Sequence, residues 1–287
     1  MSNPNIEMTE PDAFGQKHPI ESEELIATGL KELELEVSKL PDDDRAAWEE
    51  AKVKCASELI DDKFLLQFLR AEVFNADLAA KRLCGYWTKR LSAFGPDKAF
   101  LPMTLDQALK DDDFPLRMGF ATLVPATDPV GRSILFFDPS KNDRTKYSIE
   151  SLTRAVWYYM HAALESETAQ QKGVVFMIYP QKAKLSQFDR GLANSVMSSL
   201  KLCMPVRVSA LMICHPPFFF SIVFSVVKVF MGERVRKRVR VMSGSQISVM
   251  EELQVLGLTA DRLPTELGGA IELNATKYVD ERKAAGK

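Results

Sequence analysis

Apolar positions in the first third of the chain recur at helical spacing. Leu30, Leu33 and Val37 share one face, with Glu32, Glu34 and Lys39 between them, the repeat of an amphipathic helix. Residues 42–44 are all aspartate, a charge suited to the positive end of a second helix. Phe64, Leu65, Phe68 and Leu69 repeat the apolar face. Asn75 or Asp77 is placed to cap the next helix, whose Leu78, Leu83, Tyr86, Trp87 and Leu91 turn inward until Phe94-Gly95-Pro96 stops it. The pattern predicts a helical bundle over residues 20–95. Before it, residues 1–19 form a polar arm with Pro4, Pro11, Gly15 and Pro19, which reads as disordered by composition.

Beyond Gly95 the period changes. Residues 117–124 and 132–138 are β-rich runs, separated by a turn-rich segment, 125–131. Ser148 caps an amphipathic helix with Ile149, Leu152, Val156, Met160 and Ala163 on one face. Residues 173–178 are continuously apolar, as in a strand covered on both faces. A helix over 187–202, a second buried strand over 206–214 and a shorter strand over 238–242 follow. Strands alternating with helices predict an α/β unit over residues 96–275, with a mixed, mostly parallel sheet and helical crossovers. Residues 276–287 remain as a tail.

One segment breaks the amphipathic rule. Between Pro216 and Gly232 only Lys228 is charged. Wound as a helix, Phe220, Val223, Phe224, Val227 and Met231 fill one face, and Phe219, Ile222, Val226 and Val229 fill the other. A helix apolar all round is buried in protein, in lipid or against an apolar ligand. A membrane span needs ~20 apolar residues, and Pro216-Pro217 interrupts this stretch. An ordinary core helix leaves the second face unexplained. Immediately after it come Arg234, Arg236, Lys237, Arg238 and Arg240, opposed locally by Glu233. Positive charge beside the most apolar helix fits an anionic membrane or a phosphorylated headgroup, and equally a solvated helix face paired with nearby acids.

Composition narrows the partners. The 287 residues are 46% hydrophobic and 26% charged, with formal net charge -2, so bulk charge gives no case for nucleic acid. Cys55, Cys84, Cys203 and Cys214 lack the spacing of a metal knuckle or redox pair and read as buried free thiols in a reducing compartment. The N-terminus lacks the basic and apolar regions of a secretory signal. No nucleophile elbow, His-Glu-x-x-His or phosphate loop is present. His18, His161 and His215 read as structural, and Asp111-Asp112-Asp113 as a solvated loop.

Together the motifs resemble a known family. Phe68-Leu69-Arg70-Ala71-Glu72-Val73-Phe74 is similar to the helix that opens CRAL-TRIO proteins. Gly131-Arg132-Ser133-Ile134-Leu135 resembles their early strand. Pro205-Val206-Arg207-Val208, then Pro216, the apolar helix and Leu263-Pro264-Thr265-Glu266-Leu267-Gly268-Gly269, match the latter half in order and spacing. The resemblance runs from about Asp61 to Leu273 and implies a lipid held on the concave face of the sheet, with the apolar helix as a mobile gate. A buried tail gains ~0.8 kcal/mol per CH₂.

Carry-over by residue is uneven. The headgroup-gripping positions of the tocopherol-transfer group fall on Arg207, Arg234 and Arg238, while a further basic position falls on Glu72, which reverses the charge. The basic pair and glutamate of the phosphatidylinositol-transfer group become Glu72-Val73 and Val206, so the buried inositol site is absent. Tyr179, Lys182 and Cys214 replace the family's usual Asp, Gly and Asn. The pocket is expected to use Trp157, Met177, Val196, Leu211, Ile213, Phe219, Ile222, Phe224 and Val227. The expectation is a monomeric, cytoplasmic, non-enzymatic carrier of a hydrophobic small molecule or phospholipid. It docks transiently on anionic membranes and needs no metal, nucleic acid or cofactor beyond the lipid. The alternative is a regulatory adaptor that kept the fold and binds a protein.

Overall fold

The computed structural model describes residues 6–287. Four helices open the chain: α1 (Glu23–Lys39), α2 (Asp42–Lys54), α3 (Asp62–Ala71) and α4 (Ala76–Phe94). Their starts follow local chemistry. Ser22, Asp61 and Asn75 accept the backbone N–H of Leu25, Phe64 and Leu78 respectively, each satisfying an otherwise orphaned first-turn donor. A short helix α5 (Asp113–Arg117) precedes strands β1 (Ala121–Thr127) and β2 (Ser133–Phe137). Of the strand expected over residues 117–124, Arg117 therefore ends a helix and residues 118–120 form a bend before β1. Next come α6 (Ile149–Ala163), α7 (Glu167–Lys172), β3 (Val174–Ile178), α8 (Arg190–Leu202) and β4 (Val208–Cys214). The chain closes with α9 (Phe220–Phe230), α10 (Glu233–Arg236), β5 (Val239–Met242), α11 (Gln246–Val255) and α12 (Ala275–Ala284).

The five strands lie in the order β1-β2-β3-β4-β5; β1 is antiparallel to β2 and the other pairs are parallel. Side chains alternate between two cores. On the front, Leu135, Phe137, Phe176, Leu211 and Ile213 join a core continuous with the helical bundle. On the back, Ile134, Phe136, Val175, Met177, Ala210 and Met212 pack against Val249 and Leu253 of α11 and against Leu258, Leu263 and Leu267. The bundle and the sheet meet around Tyr86, whose ring stacks on Trp157 at 5.4 Å.

The Leu-Pro-x-Glu-x-Gly-Gly segment closes on itself. Gly269 N–H donates to Pro264 O and Thr265 N–H to Ile271 O, both at 2.9 Å. Gly268 takes φ +82°, and a Cβ on Gly269 would lie 1.9 Å from the Leu263 carbonyl oxygen. Only glycine permits that approach. Gly269→Ala is expected to lose about 1–3 kcal/mol of stability, read as a lower urea midpoint; an unchanged midpoint would contradict the closure.

Three expectations from composition are corrected. From Ile6 onward the arm is a folded clasp: Met8 bridges to Pro19, and Thr9 N–H donates to His18 O at 2.8 Å. Its Phe14 is buried beneath the guanidinium groups of Arg132 (4.9 Å) and Arg240 (5.6 Å), while Asp12 pairs with Arg132 and His18. Residues 1–5 lie outside the described residues. The tail is helix α12, with Val279 fully buried and Tyr278 stacked on Tyr159 at 5.6 Å. Asp112 is not solvated; it is fully buried and pairs with Arg154 at 2.6 Å. In each case a specific partner across the fold outweighs a polar local composition.

Candidate functional site

The front of the sheet does not fill completely. Between β2–β4, α8 and α9 lies a cavity of about 200 Å³. Phe137, Phe176, Ile178, Leu211 and Ile213 form its floor, Leu192, Val196 and Leu200 its wall, and Phe220, Val223, Phe224 and Val227 its roof. Parallel register sets the floor: Phe137 pairs with Ile178, Phe176 with Leu211, and Ile178 with Ile213, so these side chains emerge on one face. Polar groups gather at the rim and are engaged by the protein. Asn142 Nδ2 donates to Gln187 O at 2.7 Å, Gln187 Nε2 to Ser140 O at 2.6 Å, and Asp189 caps α8. The interior offers dispersion and apolar burial rather than hydrogen bonds.

Six of the nine expected pocket residues line this cavity: Val196, Leu211, Ile213, Phe219, Phe224 and Val227. Three do not. Met177 pairs with Met212 and points into the back core, because neighbouring positions on a strand face opposite sides. Trp157 is fully buried among helices, its indole N–H donating to Ser199 Oγ at 3.0 Å and its ring 6.0 Å from Phe94. Ile222 lies on the outer face of α9, 60% exposed. Sequence reasoning missed Phe176, Ile178 and Phe137, although Leu211 and Ile213 imply them once the strands pair in parallel.

The outer face of α9 is open and mixed: Ile222 (60%) and Val229 (73%) are exposed beside Ser221, Ser225 and Lys228, and Phe218, just before the helix, is 98% exposed. Large exposed apolar side chains beside a cation, over a pocket, suit an interfacial surface. No helix among the described residues is long and apolar enough to cross a membrane.

A second cleft, about 850 Å³, opens between the α3–α4 turn, the end of α8, the start of β4 and α10. It brings together Arg207, Arg234 and Arg238, with Glu72, Glu233, Arg82, Lys201 and Lys237. Arg207 donates through Nη2 to Lys17 O of the clasp at 2.8 Å, and its buried Nη1 has no acceptor among the described residues. Burial, reinforced by Arg238 and Arg132, pushes this guanidinium down to about 10, with Asp12 pulling the other way. Arg238 is held below the ordinary arginine value for the same first reason. Clustered cations that penalise one another favour a bound anion. Arg234 is engaged by Glu72. The reading of the basic run after α9 as a face paired with nearby acids holds for Lys237, bound to Glu233 at 2.7 Å, and for Arg234, bound to Glu72.

His161 Nε2 shares a hydrogen bond with Tyr86 Oη at 3.1 Å, and Arg90 donates to that same oxygen at 2.8 Å. Burial and the nearby Arg90 push its imidazole down to about 3. All four cysteines are free; Cys84, Cys203 and Cys214 are buried. No cluster of metal-ligating side chains occurs among the described residues.

Comparison with known proteins decides the family. The CRAL/TRIO domain model matches residues 117–269, which hold the sheet, the cavity and the gate-like helix. The chain belongs to the CRAL/TRIO domain family. Among its relatives, alpha-tocopherol transfer protein-like of Mus musculus is 31% identical over 232 residues, covering 77% of this chain and 62% of that protein. Clavesin-2 of Rattus norvegicus is 28% identical over 220 residues, covering 74% and 62%. The chain thus spans about three fifths of the length of these relatives. The crystal structure of Sfh5 superposes with a TM-score of 0.55 over 90% of this chain and 98% of that one, at 12% identity, and shares the fold. The CRAL/TRIO family is one of lipid-binding and lipid-transfer proteins.

Proposed function

We propose that this chain encloses one hydrophobic lipid in the cavity under α9 and carries or presents it between membranes, without catalysing a reaction on it. The observation that supports this most is a helix whose inner face roofs an apolar cavity and whose open face presents Ile222 and Val229 beside Ser221, Ser225 and Lys228. Such a helix is at home against lipid on both sides: cargo within, bilayer without. Arg207 and Arg238 form an anion-binding cleft for a phosphoinositide-type headgroup, with Arg234 at its rim, so docking is peripheral and salt-dependent.

The test is sedimentation with phosphatidylcholine vesicles containing a minority of phosphatidylinositol phosphate. Replacing Arg207, Arg234 and Arg238 together with Ala is expected to weaken binding roughly tenfold to a hundredfold, since Arg207 and Arg238 each contribute about 1 kcal/mol and Arg234, already paired with Glu72, contributes less. The remaining binding should depend less on salt, and uptake of an apolar fluorescent probe should persist. Unchanged vesicle affinity would remove the headgroup role.

A further inference from the structure

The anion cleft contains its own anion. Glu72 is buried at the turn between α3 and α4, its side chain 4% exposed. Its two oxygens are claimed by different arginines: Oε1 by Arg82 at 2.6 Å and Oε2 by Arg234. These two partners are not equivalent. Arg82 is itself buried and also donates to the carbonyls of Leu200 (3.1 Å), Lys201 (3.2 Å) and Met204 (2.7 Å), tying down the end of α8. It cannot turn toward a ligand without abandoning those acceptors. Arg234 is held on one side only; its side chain is 68% exposed, and Glu72 is its one ion-pair partner among the described residues.

From this asymmetry we propose that Glu72 is an internal counter-anion that latches Arg234 and thereby limits how much phosphate charge the cleft accepts. The inference rests on reading the cleft as an anion site. An incoming phosphate meets Arg207 and Arg238, neither of which has an ion-pair partner among the described residues, at no cost in broken ion pairs. To recruit Arg234 as well, the phosphate must pull it from a buried carboxylate, which is left with one cation instead of two. The cleft is therefore built for one phosphate, and a second gains little. Glu72 is a specificity-determining residue of this site. Gln at position 72 keeps the shape and an acceptor for Arg82, removes the charge and frees Arg234.

The experiment uses the full chain and phosphatidylcholine vesicles doped with either a phosphatidylinositol monophosphate or a bisphosphate. The wild type is expected to bind the two within ~threefold of each other, and Glu72→Gln to gain ~tenfold for the bisphosphate, a change of about 1.4 kcal/mol. Arg234→Ala should cost less than ~threefold in the wild type and ~tenfold in the Glu72→Gln background, the signature of coupling between contacting residues. The same order is expected with soluble inositol bisphosphate in place of vesicles, because Glu72 acts on phosphate and not on the bilayer. Equal costs of Arg234→Ala in both backgrounds would overturn the latch, as would a Glu72 effect confined to vesicles. If thermal melting shows Glu72→Gln unfolded, the wild-type comparison still decides. Arg207→Ala must then cost several times more than Arg234→Ala, and equal losses overturn the latch. Arg207→Ala without effect would remove the anion site itself, a different failure from that of Glu72.

Discussion

Ala193→Trp is expected to abolish uptake of a hydrophobic probe while leaving the fold and phosphoinositide-vesicle binding in place. Ala193 lies on α8 and faces the cavity. A cavity of about 200 Å³ leaves little room for cargo once an indole enters it. The lost affinity should reach at least ~tenfold, or about 1.4 kcal/mol, because a cargo chain gives up ~0.8 kcal/mol for every CH₂ it no longer buries. The readout is displacement of an environment-sensitive fatty-acid probe. A control distinguishes the two faces of α9: Ile222→Ser, on the open face, should leave uptake intact in solution and lower partition onto vesicles. Full probe uptake by Ala193→Trp would mean that the cavity under α9 is not where lipid binds.

The second large effect is acid sensitivity centred on His161. Its ring packs beside the stacked pair Tyr86 and Trp157, where helical bundle and sheet domain meet. Tyr86 Oη accepts from Arg90 and also lies 3.1 Å from His161 Nε2. Burial, with the Arg90 cation nearby, favours the neutral imidazole and holds it near 3 against an ordinary 6.5. A histidine with a depressed folded-state pKa binds its proton more readily when unfolded. Its stabilising contribution is therefore complete above pH 6.5 and lost as pH falls from there toward 3. By pH 4.5 the loss should be about 2 kcal/mol relative to pH 7.5. His18, lowered chiefly by burial, adds a smaller loss of the same sign. Urea titrations at both values should show His161→Gln losing about 2 kcal/mol less than the wild type on acidification. Equal losses would place the acid sensitivity elsewhere.

Most elements up to β5 were readable because periodicity and capping are local, as where Asn75 and Ser148 cap the helices they precede, whereas α5, α7, α11 and α12 were not read. The apolar helix was readable from its lack of charge. What escaped was everything decided by parity or by a distant partner. Met177 sits in an all-apolar run, and such a run does not reveal which residues face forward; only pairing with Leu211 and Ile213 assigns Phe176 and Ile178 to the cavity. Trp157 lies on the apolar face of α6, which turns toward Tyr86 rather than toward the cavity. The clasp eluded composition because Phe14 needs guanidinium groups more than a hundred residues away. Glu72 was visible as a charge reversal, but its two arginine partners come from α4 and α10 and meet only in the folded cleft.

The central claim, that the cavity under α9 holds one lipid, is tested most directly by native mass spectrometry of the purified chain, followed by organic extraction and identification of what is released. The account predicts a stoichiometric lipid that stays bound in the native ion and leaves on denaturation, or an empty chain that acquires one such lipid from vesicles. A chain that is empty and takes up no lipid from vesicles would contradict it and point to an interaction module that kept the fold and lost its cargo.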